Sequence, residues 1–218
     1  MTEAKQMTSS DVDREVDRQL KRITATGQLS GGPWSRERLA ASAEALRPAL
    51  FEAVAGLPGP SRRRVPFVLV LPSSVLPASV AVPTLRLDGR SGSFAKGMDD
   101  VDRFAPIDGL DVPDLLYAVV DVRRGDEHLG RTPEDALAAI TTAGRSPLTL
   151  AEGLALVTAH PEALEPNHCF QTPGSRAGDR RVPGIWISGR APRVGFCWAG
   201  NHHSWLGAAS CARRVAAG

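Results

Sequence analysis

Cysteine, histidine and tryptophan carry much of the nucleophilic, acid–base and stacking chemistry of proteins, and here they crowd toward one end of the chain. From His160 onward lie all three cysteines, three of the four tryptophans and four of the five histidines. In GFCWAGNHHSWLGAASC, residues 195–211, an alternating strand would put Val194, Phe196 and Trp198 on one face and Gly195 and Cys197 on the other. Gly195 removes bulk beside the thiol and would admit a ligand or a second backbone. The turn that follows presents His202 and His203. A thiol at a strand end can meet an imidazole across such a turn, the imidazole taking the proton and the thiolate attacking. The expected catalytic set is therefore Cys197 or Cys169 as the thiolate with His203 as base, and His168 as a further candidate. The plainer reading is core packing, since free cysteine is among the most buried residue types.

The same side chains could serve zinc, which wants four Cys or His ligands in a tetrahedron. The candidate set is Cys169, Cys197, His203 and Cys211, with His168 or His202 as substitutes. No C-x-x-C knuckle supports it, so no metal or cofactor is favoured and zinc is the alternative. Arg176, Arg180 and Arg181 flank Asp179 in the Gly-containing string GSRAGDRR. Guanidinium forks match carboxylate and phosphate groups, which points to a small anionic substrate. Trp198 and Trp205 would line that site, whereas Trp186 and Trp198 on facing hairpin strands also read as a cross-strand core pair. There is no G-x-S-x-G, H-E-x-x-H, G-x-G-x-x-G or Walker pattern, which removes the commonest hydrolase, metalloprotease and nucleotide readings.

Charge is uneven in the same direction. Lys+Arg is 26 against Asp+Glu 24, a net +2, too balanced for a protein that coats nucleic acid. Asp99 to Asp135 nevertheless holds eleven acids and four arginines, and Phe170 to Gly218 one acid and seven arginines. The two regions either face each other in the fold or leave the basic end for an anionic ligand.

The elements that must position these residues follow from periodicity and caps. Val12, Val16, Leu20 and Ile23 recur at helical spacing behind an N-cap at Ser10. Leu39, Leu46, Leu50 and Val54 mark a second helix, which Pro48 should kink or split. LPGPSRRR, residues 57–64, reads as the linker between an N-terminal helical segment, residues 1–60, and the main domain, residues 61–218. VPFVLVL reads as a buried strand, SVAVPTLRL as an edge strand because of Pro83, and LLYAVVDV as the central strand. The segment from Asp88 to Asp114 is long for a loop and thus functional or mobile. Thr132-Pro133 and the Thr149/Glu152 capping box start two further helices. Val182–Ile187 and Arg193–Trp198 form a hairpin. The fold class is α+β, a mixed sheet with packed helices.

The strings FAPIDGLDVPD, GRSPLTLAEGLALVTAHPEAL, NHCF, GSRAGDRRVP and GFCWAGNHHSWLGAASC together resemble an actinobacterial protein family of unknown function over about residues 65–211. The motif resembles Asn-x-His-x-Trp, which implies roles for Asn201, His203 and Trp205 rather than His202. The resemblance implies a bacterial, cytoplasmic home. No leader or membrane-spanning run is read in the chain, and three cysteines without an export signal are expected to stay reduced. The expected function is a small-molecule enzyme with a Cys/His site and an arginine-lined anion pocket. Its rival is a non-catalytic binding module held by zinc or by packing. The N-terminal helices would serve as a cover or as a homodimer arm.

Overall fold

The computed structural model describes residues 6–217. Helix α1, Ser9–Ala25, starts two residues earlier than an N-cap at Ser10 would place it. Thr8, not Ser10, is the N-cap, and it exchanges hydrogen bonds with Asp11 in a capping box. Helix α2, Arg36–Val54, runs unbroken through Pro48. The proline removes one backbone hydrogen bond, but Leu46, Leu50 and Val54 are fully buried around it, and that packing holds the helix together. Strand β1, Arg64–Val70, follows. The expected edge strand over SVAVPTLRL is instead helix α3, Ala78–Thr84. Ala78, Ala81 and Val82 are its buried residues, spaced i, i+3 and i+4, and Leu85 is buried at its C-cap. Pro83 falls in the last turn, where one missing donor costs little.

The other α-helices, and the remaining strands of the two main sheets, are β2, Ser93–Phe94; β3, Tyr117–Arg123; α4, Pro133–Thr142; β4, Ser146–Pro147; α5, Leu150–Ala159; β5, Cys169–Gln171; β6, Arg181–Ser188; β7, Ala191–Trp198; β8, Leu206–Ala208; β9, Ser210–Cys211; and β10, Arg213–Ala216. One sheet is antiparallel, in the order β1–β3–β9–β4, with β10 also on β3. The second is mixed, in the order β8–β5–β6–β7–β2, parallel at β8–β5 and β7–β2. Two short two-stranded sheets, Arg86–Leu87 with Arg90–Ser91 and Ala105–Pro106 with Ser175–Arg176, stand apart from these. The α+β expectation holds, with two main sheets instead of one.

Four layers result. Helices α1 and α2 cover the outer face of the first sheet, where Val12, Val16, Leu46 and Leu50 join Phe67, Leu69, Ala118 and Val120 in one apolar cluster. The N-terminal helical segment is thus a cover that shares the sheet's core. The inner face, with Val68, Val70 and Val119, packs with α5 and with Phe170, Ile185 and Val194 of the second sheet. Buried on nearly every side, with Glu152 as its one charged residue, α5 sits between the sheets. At Gly153 an added Cβ would lie 2.5 Å from Thr172 Cγ2, so only glycine lets the helix approach the second sheet this closely.

Two polar details complete the first sheet. β1 is an edge strand, and the buried Gln19 of α1 hydrogen-bonds its free edge: Leu69 N–H donates to Oε1 at 2.8 Å, and Nε2 donates to Phe67 O at 3.2 Å. Asp121, inside β3, adopts φ +52°, and it stands opposite Pro66 in the β1–β3 ladder. Among the described residues no helix is long and apolar enough to cross a membrane.

Candidate functional site

The residues singled out in the sequence are only partly brought together. Cys169 and Cys197 lie in the second sheet and Cys211 in the first, opposite Ser146. Phe170 is level with Ile185 and Cys197 with Val182. The first two thiols are therefore about 13 Å apart along the strands, at about 3.3 Å per residue. Among the described residues no group of three or more His, Cys, Asp or Glu side chains is placed to hold a metal ion. All three thiols are buried. Burial pushes Cys197 up to about 11 and Cys211 up to about 12, and it raises Cys169 as well. The Cys169 thiol donates to the Glu165 carbonyl at 3.4 Å. His203 lies against Trp205, ring centroids 5.5 Å apart, and burial followed by its neighbour His202 lowers its pKa. His168 faces Asp126, with Nδ1 3.6 Å from the carboxylate. No thiol–imidazole hydrogen bond forms among the described residues. Asn201 sits in the exposed turn after β7, its N–H donating to Trp198 O.

The space that Gly195 leaves is filled. An added Cβ there would lie 2.2 Å from the Trp186 indole, which lies across the glycine. Trp186 pairs edge-on with Trp205, at 5.9 Å, rather than with Trp198. Trp198 is half exposed and meets only Phe196 edge-on. Cys169, Trp186 and Trp205 share an open groove of about 430 Å³ with Asn167.

The arginines are engaged already. Arg181 holds Asp100 through two hydrogen bonds of 2.9 and 2.6 Å and Asp179 through a third of 2.7 Å, between the rings of Phe104 and Phe196. Arg180 pairs with Glu134 on the surface. Arg176 donates to the carbonyls of Pro173 and Ser175, and burial lowers its pKa. The acidic middle and the basic end of the chain therefore do face each other.

A second concavity was not foreseen. A cleft of about 440 Å³ opens at the first turn of α5. Its floor is Tyr117, Thr149 and Leu150; one wall is the turn after β1 with Ser73 and Ser74; the opposite wall is the long segment through Asp102, Phe104 and Asp114. That segment, expected to be functional or mobile, is pinned at three points. Ser79 donates to Asp102 through its N–H and its hydroxyl, Arg181 grips Asp100, and Ala105–Pro106 pairs with Ser175–Arg176.

Beneath the floor lies a closed polar network. Glu152 is completely buried. Its Oε1 accepts from the Tyr117 hydroxyl at 3.0 Å and from Arg214 Nε at 2.6 Å. Its Oε2 accepts from Thr149 N–H at 2.7 Å and from Arg214 Nη2 at 2.8 Å. All the accepting positions of the carboxylate are used, so Glu152 braces the helix start and has no lone pair left for a substrate proton. Burial, followed by the Glu152 charge, raises the Tyr117 pKa, and the phenol stays protonated. Ser175, also on the cleft, accepts from Leu150 N–H at 2.9 Å. The lining thus has two carboxylates, several hydroxyls and apolar walls, and no Lys, Arg or His. The capping box and the long segment were both legible; their meeting point was not.

No curated protein and no solved structure matches the chain. A family pattern matches residues 24–217, and the chain accordingly belongs to a family of unknown function, DUF5701.

Proposed function

We propose that the protein binds a small neutral or cationic molecule, rich in hydroxyl or amine donors, in the cleft at the first turn of α5, and that it does so without covalent catalysis. The observation that carries this is the cleft's lining: Asp102 and Asp114 are its ionisable carboxylates and no cationic side chain faces it. An anion would be repelled there, whereas an ammonium group or a hydroxyl finds acceptors. The size suits a metabolite, and apolar walls with a few placed polar groups are the usual make-up of such sites. The absence of covalent chemistry rests on the thiols, which burial keeps protonated, and on Glu152, whose oxygens are already occupied. The enzyme built on Cys197 and His203 remains the competing reading; it requires a thiolate that the surroundings of Cys197 do not favour.

A thermal-shift screen with separate panels of amines, polyols and carboxylates tests the proposal. Stabilising compounds should come from the first two panels. Asp114→Asn should weaken the amine hits about tenfold, the worth of one charge-assisted contact, and Ser74→Trp at the mouth should abolish all of them. Carboxylate hits, or hits indifferent to both substitutions, would overturn it. So would turnover of any hit that stops in Cys197→Ala.

A further inference from the structure

The far end of the first sheet carries more guanidinium groups than carboxylates to neutralise them, although Arg64 already donates to Asp121 and Arg62 to Glu165. Arg64, Arg123 and Arg145 surround the single carboxylate of Asp121. On the adjoining face Arg62, Arg63 and Arg124 share Glu165 and Asp126. Six arginines thus meet three carboxylates. The carboxylates lie underneath, 10–25 % exposed, while Arg62 and Arg63 are 67 % and 72 % exposed, so the outward layer is positive.

The backbone explains why the charges point outward. Val119 and Val122 both belong to the inner core cluster, as do Val65 and Val68, a spacing of three that strict alternation forbids. The phase changes where Asp121, with its positive φ, stands opposite Pro66. Past that point Val65 and Val122 return to the core, and the ladder partners Arg64 and Arg123 turn away from it. Directly paired residues have Cβ atoms about 5 Å apart, so the two forks can reach one group. Arg145 is fully used, on Asp121 and on Ser210. Arg123, in contrast, reaches Asp121 only at 3.7 Å and makes no hydrogen bond among the described residues.

We infer that this end of the sheet is a binding site for a phosphoryl group, held between Arg64 and Arg123 and backed by the positive field of Arg62 and Arg63. A carboxylate is satisfied by one fork. A phosphoryl group offers three acceptor oxygens and nearly two charges, which suits two forks side by side. This face is separate from the cleft and does not depend on the function proposed for it.

Calorimetric titration with inorganic pyrophosphate at low salt provides the test, with citrate and a short single-stranded oligonucleotide as comparison ligands. Pyrophosphate should bind more tightly than citrate. Arg123→Ala should weaken it about tenfold, and Arg123→Lys should restore only part of the loss because the fork is gone. Arg63→Ala should have a smaller effect. Arg36→Ala, an equal change in net charge at the start of α2, should leave the affinity within about twofold. No pyrophosphate binding, equal losses in Arg123→Ala and Arg36→Ala, citrate preferred over pyrophosphate, or binding of the oligonucleotide alone would each overturn the inference. The last result would mark a nucleic-acid surface instead.

Discussion

The start of α5 and the second sheet make opposite use of their chemistry. The second sheet holds the conspicuous residues, yet Cys197 is buried, Trp186 fills the space over Gly195, and Arg181 is locked on two aspartates. The cleft at the start of α5 is lined by serine, threonine, proline, tyrosine and aspartate among apolar residues, none of which stands out in the sequence. Reactive residue types show where chemistry is conceivable. Empty volume beside polar side chains shows where a ligand has room, and the two need not coincide.

The largest effect should come from the network beneath the cleft. Glu152→Ala or Arg214→Ala leaves the other charge buried alone, an expected loss of about 3–5 kcal/mol measured by urea unfolding. The double change to Leu and Met should cost much less than the sum, because no orphan charge remains. Losses below about 1 kcal/mol in both single variants would remove the contrast between a braced cleft floor and an ordinary core.

The second sheet should respond to alkali. Burial raises the Cys197 pKa from an ordinary 9.0 to about 11, so the folded state prefers the neutral thiol. That preference stabilises fully below the unfolded value and is lost as pH rises from about 9 through 11. At about 1.4 kcal/mol per unit it amounts to roughly 3 kcal/mol. Chemical denaturation across that range should show the decline in the native protein and a shallower one in Cys197→Ala. At neutral pH the same shift leaves about a hundredfold less thiolate, so alkylation should be slow. Fast labelling of Cys197 at neutral pH would reverse the comparison and restore the enzyme reading.

A smaller loss is expected at Gly195. Gly195→Ala forces the Trp186 indole aside, an overpacking cost of about 1–3 kcal/mol, with a change in tryptophan fluorescence. A neutral outcome would mean that the glycine does leave usable space beside Cys197.

Much of the fold was legible because caps and apolar periods are local. The capping boxes and turn signals located α4, α5 and the β6–β7 hairpin, and VPFVLVL and LLYAVVDV gave the two long strands of the first sheet. SVAVPTLRL misled because its β-branched residues outweighed a helical spacing that was also present. Pro48 misled because a proline's local cost was not set against three buried side chains around it. The site was far less legible. Thr149 and Glu152 could be paired as a cap, but nothing local tells that Arg214, 62 residues later, neutralises the same carboxylate. The cleft walls come from four separate segments, and volume between segments has no signature in any one of them.

Gln19 has a consequence for how this chain behaves in company. An unpaired strand edge invites the strand of another molecule, and β1 would present Phe67, Leu69 and Leu71 along such an edge. A single side-chain amide from α1 occupies the two backbone groups a visiting strand would need first. The helix is therefore also a guard against aggregation, one that a local loosening of α1 would lift well before the sheets themselves came apart.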